Sequence, residues 1–277
     1  MPLYERCGGV NRWLRLGSSP PRLPEVMVKR SCDWPRLPTE NANHGNNLRH
    51  QCGDAALSEL KGVYVQYGSG PNSCPPGWIN FDISPTLRLQ KLPIVGKLFR
   101  HGSVIFPDGT RYGDIVNGLP IPRGSADGIY ASHVLEHLSL EDCGIALSNT
   151  FRLLKHGGIF RLIVPDLQNR ARQYLANLEN GDVEANSWFM RQSVLGLEHR
   201  RKSLEEWARS VLGNSAHLWM WDELSMTAAL EKTGFTEIRR CHFNDSRDDA
   251  FRLVEERGRF IDETTGQEEC AMEATKP

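Results

Sequence analysis

The sequence lacks the features that mark membrane, secreted and polyanion-binding proteins. No apolar run approaches the roughly 18 residues of a membrane-spanning helix, and the first residues lack the uninterrupted apolar core of a signal peptide. Lysine plus arginine number 33 against 34 aspartates plus glutamates, a formal charge of -1, so no overall field attracts nucleic acid or an anionic membrane. We expect a cytoplasmic protein with no membrane span and no nucleic-acid partner.

The sequence also lacks paired cysteines. Its seven cysteines are odd in number, widely scattered and never spaced as CxxC. This pattern supports neither a disulfide framework nor a cysteine-bound structural zinc site. The sequence therefore predicts no metal ligands.

Three segments differ in composition. Residues 1–55 are rich in Arg, Pro, Asn, Gly and Ser without periodicity, which predicts a disordered or loosely packed segment, with a basic interaction arm as the alternative. Residues 56–261 are long enough for one α/β domain with a full core. After residue 261 the chain is polar, and we expect 262–277 to be a mobile tail.

From residue 56 the segments alternate between strand-like and helix-like, as in a parallel sheet covered on both faces. Apolar runs rich in β-branched and aromatic residues predict strands at 62–67, 78–82, 127–131 and 158–164. A helix at 140–154 joins the last two as a βαβ unit.

The second half of the predicted domain begins with a helical insert at 167–214. An amphipathic helix at 221–233 follows, started by Asp222 and stopped by Gly234. Strands at 235–243 and 250–255, on either side of a polar turn, are predicted to form an antiparallel pair.

A ligand site is indicated where the first two strands end. Gly68, Ser69 and Gly70 follow the first strand, and glycine lets the backbone turn sharply and approach a ligand closely. Asp82 ends the second strand, where a carboxylate can accept two hydrogen bonds from a ribose diol. The pattern predicts a nucleoside ligand, with Asp82 as a simple turn residue the alternative.

A pyrophosphate is disfavoured at this site. The third glycine of a dinucleotide fingerprint falls at Ser73, and Pro71 together with the prolines at 75–76 would spoil the helix that opens under a pyrophosphate. An NAD-dependent oxidoreductase or epimerase is thus the weaker alternative. S-adenosylmethionine needs the tight turn and has no phosphate.

Four motifs in order resemble the class I S-adenosylmethionine-dependent methyltransferases of the type 11-like kind, especially predicted small-molecule and glycan-pathway enzymes carrying SHVLEH. They are GSGPxxxxxGWINFDI (68–83), DIVNGLPIPRGSADGIYASHVLEHL (114–138), FRLLKHGGIFRLIVPD (151–166) and HLWMWDELSMTAALEKTGF (217–235). The resemblance spans residues 60–243. It implies a Rossmann-like α/β fold with a seven-stranded sheet, six strands parallel and one antiparallel, and S-adenosyl-L-methionine as cofactor.

The resemblance also assigns roles to residues. The glycines would pass under the methionine part of the cofactor, Asp82 would bind the ribose, Ile83 would lie against adenine, and Asp114 would face its amino group. Residues Ser132 to Glu136 would form the floor beside the sulfonium. The implied cofactor-binding residues are Gln66, Gly68, Ser69, Gly70, Asp82, Ile83, Asp114, Ser132 and Glu136. Asp114 could instead cap its own backbone.

The acceptor is expected to be a hydroxyl, less readily an amine, of a small molecule or glycan precursor. A hydroxyl must lose a proton, and histidine is the side chain best matched to neutral pH. His133 and His217 are the predicted bases, with His199 third, whereas His137 reads as a core or helix-cap residue. The helical insert would select the acceptor. A catalytically silent interaction protein with the same fold is the remaining alternative.

Overall fold

The computed structural model describes residues 60–71, 74–92, 105–196, 198–199, 216–262 and 265–277. The prediction for residues 1–55 lies outside the described residues. So does most of the second half of the predicted helical insert, including Arg200, Arg201 and Lys202.

The described residues form one seven-stranded sheet in the order β3-β2-β1-β4-β5-β7-β6. The strands are β1 Tyr64–Tyr67, β2 Trp78–Asp82, β3 Arg111–Tyr112, β4 Ala126–Ser132, β5 Leu154–Val164, β6 Thr236–Arg240 and β7 Cys270–Thr275. Six strands run in one direction, and β7 is antiparallel to both of its neighbours. The predicted fold class is confirmed.

Six helices accompany the sheet in the described residues. They are α1 Pro85–Gln90, α2 Leu140–Leu153, α3 Leu167–Glu179, α4 Ala185–Gln192, α5 Glu223–Thr233 and α6 Arg257–Phe260, with single 3₁₀ turns at Leu135–His137 and Asp249–Leu253. Of these helices, none has the length and apolar character needed to cross a membrane.

Helix α2 shows how the local sequence sets the fold. Ser139 caps its first turn by accepting a hydrogen bond from the Asp142 backbone N–H at 3.1 Å. Its buried stripe, which includes Cys143, Ala146 and Leu147, packs against one face of the sheet together with α5. Side chains of residues 250–260 cover the other face.

The predicted antiparallel pair of strands at 235–243 and 250–255 is wrong. β6 occupies the first segment but pairs with β7, and the second segment forms the 3₁₀ turn. Phe251 and Val254 are both buried, three residues apart, which is helical rather than strand spacing. The sequence prediction recognised these residues as apolar but assigned them the two-residue period of a strand.

The predicted mobile tail is also wrong. β7 is an internal strand whose residues Cys270 to Ala274 are buried between β5 and β6. Residues 262–277 read as polar because acidic and other polar residues precede the strand and Glu273 lies within it. Glu273 is nevertheless 1 % exposed and pairs with Arg161 of β5 at 3.1 Å. Charged residues are usually exposed, so a strand that buries one through a distant ion pair is not recognised from its sequence pattern.

Candidate functional site

Gly68, Ser69 and Gly70, which we call the glycine loop, lie at the carboxyl ends of β1, β2 and β4. Gly68 and Gly70 both have positive φ, 66° and 62°. A Cβ on Gly68 would stand 2.3 Å from Cγ2 of Val134, whereas one on Gly70 would meet nothing within 4 Å. Gly68 is therefore required by packing, and Gly70 leaves open space at the sheet edge where a ligand can approach the backbone.

Asp82 ties this loop to the end of β2. Its Oδ2 accepts a hydrogen bond from the Gly70 backbone N–H at 2.9 Å, and its Oδ1 accepts one from the Ser84 N–H at 2.7 Å. Because each carboxylate oxygen has two acceptor positions, both retain capacity for a ribose hydroxyl. The carboxylate thus has a turn role, and its predicted ligand role stays open.

A cavity of about 140 Å³ opens beside the loop. It is lined by Gln66, Ser69, Gly70, Pro71, Tyr130, Ser132, Val254, Glu256 and Arg259. The hydroxyls of Tyr130 and Ser132 are buried and have no hydrogen-bond partner among the described residues. Burial raises the pKa of Tyr130, so its hydroxyl stays protonated. Buried polar atoms without partners indicate a place for a ligand or water.

The C-terminal part of the chain contributes residues to this cavity that sequence reasoning missed. Arg259 donates a hydrogen bond to the backbone oxygen of Ser132 at 3.1 Å, and its own carbonyl lies 2.9 Å from Nε2 of His133. Nothing in the local sequence marks Arg259 as a site residue. The helical spacing of Phe251 and Val254 was the one signal that could have placed this segment against the sheet.

Two predicted adenine contacts differ in their surroundings. Ile83 follows Asp82 directly and is 48 % exposed, so its apolar side chain is available to a planar base. Asp114 accepts hydrogen bonds from the Val116 backbone at 2.9 Å and from the Asn117 side chain. The carboxylate of Asp114 therefore serves its own turn, and its role toward adenine stays a prediction.

A cluster of histidines surrounds Glu136 just beyond the end of β4. His133, with a φ of 53°, places Nδ1 3.4 Å from Oε1 of Glu136, and His137 places Nε2 3.9 Å from the same oxygen. Glu136 is 0 % exposed, and neither of its carboxylate oxygens has a hydrogen-bond partner in the described part of the chain. We call His133, Glu136, His137 and His217 the Glu136 cluster.

His217 joins this cluster from a distant part of the chain. Its ring lies 5.0 Å from the ring of His137, and its Nδ1 is 2.8 Å from the carbonyl oxygen of Ser193. Burial, with a smaller contribution from His137, lowers the pKa of His217 although Glu136 opposes the shift. His199 is exposed, and no described contact joins it to the cluster.

The structure thus brings most of the predicted site residues to one edge of the sheet. The loop, Asp82 and the orphan hydroxyls can hold a nucleoside with polar groups, and the Glu136 cluster can accept or donate protons nearby. His137, which the sequence indicated as a core or cap residue, belongs to the cluster as well.

Comparison with known proteins adds a family match. A family model described as "Methyltransferase domain" matches residues 57–239. Comparison with curated protein sequences finds no match.

Solved structures of low sequence identity are similar to the chain. A SAM dependent methyltransferase from Archaeoglobus fulgidus has 16 % identity and a TM-score of 0.39 over 79 % of this chain and 87 % of that one. A possible histamine N-methyltransferase from Thermotoga maritima has 15 % identity and a TM-score of 0.38, over 78 % and 83 %. Human N-acetylserotonin methyltransferase has 17 % identity and a TM-score of 0.37, over 77 % and 47 %.

Proposed function

The chain belongs to the methyltransferase-domain family, and on this premise we propose that it transfers a methyl group from S-adenosylmethionine to a hydroxyl of a small molecule or glycan precursor. The matched residues, 57–239, contain the glycine loop, Asp82 and the whole Glu136 cluster. S-adenosylmethionine-dependent methyl transfer follows from the family, and the hydroxyl acceptor is our inference.

The residues at the sheet edge fit the cofactor. Gly70 leaves the space that a side chain would fill, and Tyr130 and Ser132, whose hydroxyls are buried, line the adjoining cavity. We assign the methionine end to this cavity, the ribose to Asp82 and the adenine to the exposed face of Ile83. When bound, the cofactor supplies an electrophilic methyl group on a sulfonium.

Methyl transfer requires an aligned acceptor in a site that excludes water more than it requires an oxyanion hole. The cavity is bounded on one side by β1 and β4 and on the other by Val254, Glu256 and Arg259. These surroundings support positioning of an acceptor beside the methionine end of the cofactor.

The observation that carries the hydroxyl assignment is the position of the Glu136 cluster at the end of β4, directly after Ser132. An acceptor hydroxyl must lose its proton, and the lowered pKa of His217 keeps its imidazole neutral and able to accept one at neutral pH. His133 is the second base candidate because it begins the cluster and borders the cavity through Arg259. His217 and His133 therefore have the proton-accepting role in this proposal.

The test is transfer of label from methyl-labelled S-adenosylmethionine to panels of hydroxyl-bearing and amine-bearing small molecules and sugars. We expect label on a hydroxyl, and His217→Ala should lower turnover while cofactor affinity stays nearly unchanged. His156→Ala is the matched control, because His156 lies near the amino end of β5 and its Nδ1 contacts the backbone oxygen of Pro277.

Three alternative results of this experiment would each contradict a different part of the proposal. Label only on amines would show the hydroxyl assignment to be wrong. Cofactor binding without transfer to any acceptor would favour the catalytically silent interaction protein. Binding of NAD in place of S-adenosylmethionine would favour the oxidoreductase alternative, against which the family match argues.

A further inference from the structure

Glu136 is a buried carboxylate that has imidazole nitrogens at 3.4 and 3.9 Å but no hydrogen-bond donor among the described residues. Its side chain is 0 % exposed, and among the described residues both of its oxygens lack a hydrogen bond. A buried charge is tolerated only when it is paired or coordinates a metal. A cation bound beside Glu136 would therefore stabilise the buried carboxylate.

Three side chains offer donor atoms at a common point. One ligand atom each from Glu136, His137 and His217 all lie within 4.8 Å of one another. His133 is not part of this set, although its Nδ1 is 3.4 Å from the Glu136 carboxylate. Bonds of about 2.0 to 2.2 Å to a central ion would require these donors to close by roughly 1 Å, a side-chain adjustment.

The outer nitrogens of the three imidazoles are held in the way that metal-binding histidines usually are. Nε2 of His133 lies 2.9 Å from the Arg259 carbonyl, Nδ1 of His137 lies 3.1 Å from the Ala216 carbonyl, and Nδ1 of His217 lies 2.8 Å from the Ser193 carbonyl. Each of these nitrogens donates its N–H to a backbone oxygen, so the other nitrogen keeps its lone pair. In His133 and His137 that free nitrogen is the one near Glu136.

We propose that Glu136, His137 and His217 bind a divalent transition-metal ion of the zinc type. Two imidazoles with one carboxylate suit zinc and its first-row neighbours better than magnesium or calcium, which take all-oxygen sites. The proposal departs from the sequence expectation of no metal. That expectation rested on cysteine spacing, whereas the donors here are Glu136 and His137 of the HxxEH motif at 133–137 and a histidine 80 positions after His137.

The metal would also help to deprotonate an acceptor hydroxyl, an extension that rests on the proposed function. A bound divalent ion lowers the pKa of a coordinated oxygen. Because His217 would then be a ligand, the proton-accepting role would fall to His133, and an acceptor hydroxyl at the ion would need less help from that base. The metal site itself is independent of that extension, because it depends only on the cluster's own donors.

The test is direct metal binding by the full-length, tag-free protein, with neither cofactor nor acceptor present. After treatment with a chelator, the protein is titrated with Zn²⁺ by calorimetry at neutral pH, and bound metal is counted by mass spectrometry after dialysis. We expect one ion per chain. Glu136→Gln and His217→Ala should each weaken binding by at least about 100-fold, whereas His156→Ala should bind like the wild type.

Cobalt provides a second readout that a merely structural role of the cluster would not give. Co²⁺ bound by imidazole and carboxylate should produce visible d–d absorption in the wild type, and this absorption should be lost in Glu136→Gln. Circular dichroism confirms that the variants are folded before they are compared.

Two outcomes of the titration would overturn the proposal. One is wild-type binding no tighter than that of Glu136→Gln, which would mean that the carboxylate is not a ligand. The other is equal weakening by His156→Ala, which would place the ion elsewhere. Methyl transfer by a protein that binds no metal would defeat the metal proposal and leave the proposed function intact, whereas metal binding without transfer would do the reverse.

Discussion

Two buried charged clusters in this molecule differ in how completely they are satisfied. At the antiparallel side of the sheet, Arg161 donates hydrogen bonds to Glu255, to Glu273 at 3.1 Å, and to the His242 carbonyl at 2.7 Å. Asp245 completes this set, which we call the Arg161 network. In the Glu136 cluster, by contrast, the described residues leave the carboxylate without any hydrogen bond.

The difference separates charges that stabilise the fold from charges that we propose bind a ligand. All three guanidinium nitrogens of Arg161 have partners, and those partners come from β7 and from two loops, so the network fixes the C-terminal strands on β5. The Glu136 cluster joins β4 to a single distant histidine and leaves acceptors unused. A substitution in a fully hydrogen-bonded network is expected to lower the free energy of unfolding. A substitution in a cluster without hydrogen bonds is expected to weaken ligand binding instead.

Removing the centre of the Arg161 network should give the largest effect. Arg161→Met leaves Glu255 buried without its cation and removes one cation from Glu273, which keeps Arg239 at 2.9 Å. We expect the free energy of unfolding to fall by about 3–5 kcal/mol, measured by urea denaturation. Arg252→Met is the control, because its ion pair with Asp249 is exposed on both sides and should matter by less than about 1 kcal/mol. A similar small loss for both variants would remove the distinction between the two clusters.

The glycine loop allows a matched pair of substitutions. Gly68→Ala combines a left-handed φ with a contact to Val134, and we expect a loss of about 2–4 kcal/mol of stability. Gly70→Ala has only the strain, about 1 kcal/mol, but its methyl group enters the open space assigned to the cofactor. Calorimetry should therefore show weakened S-adenosylmethionine binding by Gly70→Ala although it is the more stable variant. Unchanged binding there would place the cofactor elsewhere.

A satisfied carboxylate distant from the ligand edge should show its effect in pH dependence. Asp222 caps α5, and hydrogen bonds from the Ser225 hydroxyl and backbone lower its pKa. Because the pKa is lower in the folded state, its stabilisation is complete above the unfolded value of about 4 and is lost as pH falls through the folded value. Asp222→Ala should cost about 1 kcal/mol at neutral pH, and denaturation curves of the two proteins should converge in acid. A pH-independent difference would contradict this assignment.

Glu136→Gln should have the smallest effect on stability. In metal-free protein it removes a charge that has no hydrogen bond, so the free energy of unfolding should change by less than about 1 kcal/mol, or even rise. Thermal and urea unfolding measure this change. A loss as large as that of Arg161→Met would show that Glu136 is satisfied in solution, and the contrast between the two clusters would fail.

Sequence reasoning succeeded where the signal was local. β2 has its predicted bounds, α2 differs by one residue at its end, and the glycine loop with Asp82 lies where the pattern indicated. β7 was missed because its stabilising pair, Glu273 with Arg161, joins residues 112 positions apart. The periodicity of apolar residues does not reveal a charged side chain that is buried only because a distant residue pairs with it.

The candidate site shows the same limit. The predicted His133, Glu136 and His217 do meet, but their arrangement around an unpartnered carboxylate depends on tertiary packing. Arg259, whose side chain and carbonyl contact the end of β4, lies between the last predicted strand and the end of the predicted domain, where the sequence predicted no element. Which residues meet could be inferred in part, whereas which of them lack partners could not.

The most direct test of the account is calorimetric titration of S-adenosylmethionine into the wild type and into Asp82→Ala. The account predicts one binding site per wild-type chain and no detectable binding by the variant, with circular dichroism showing that the variant remains folded. Equal binding by the two proteins, or none by the wild type, would contradict the assignment of this sheet edge to the cofactor.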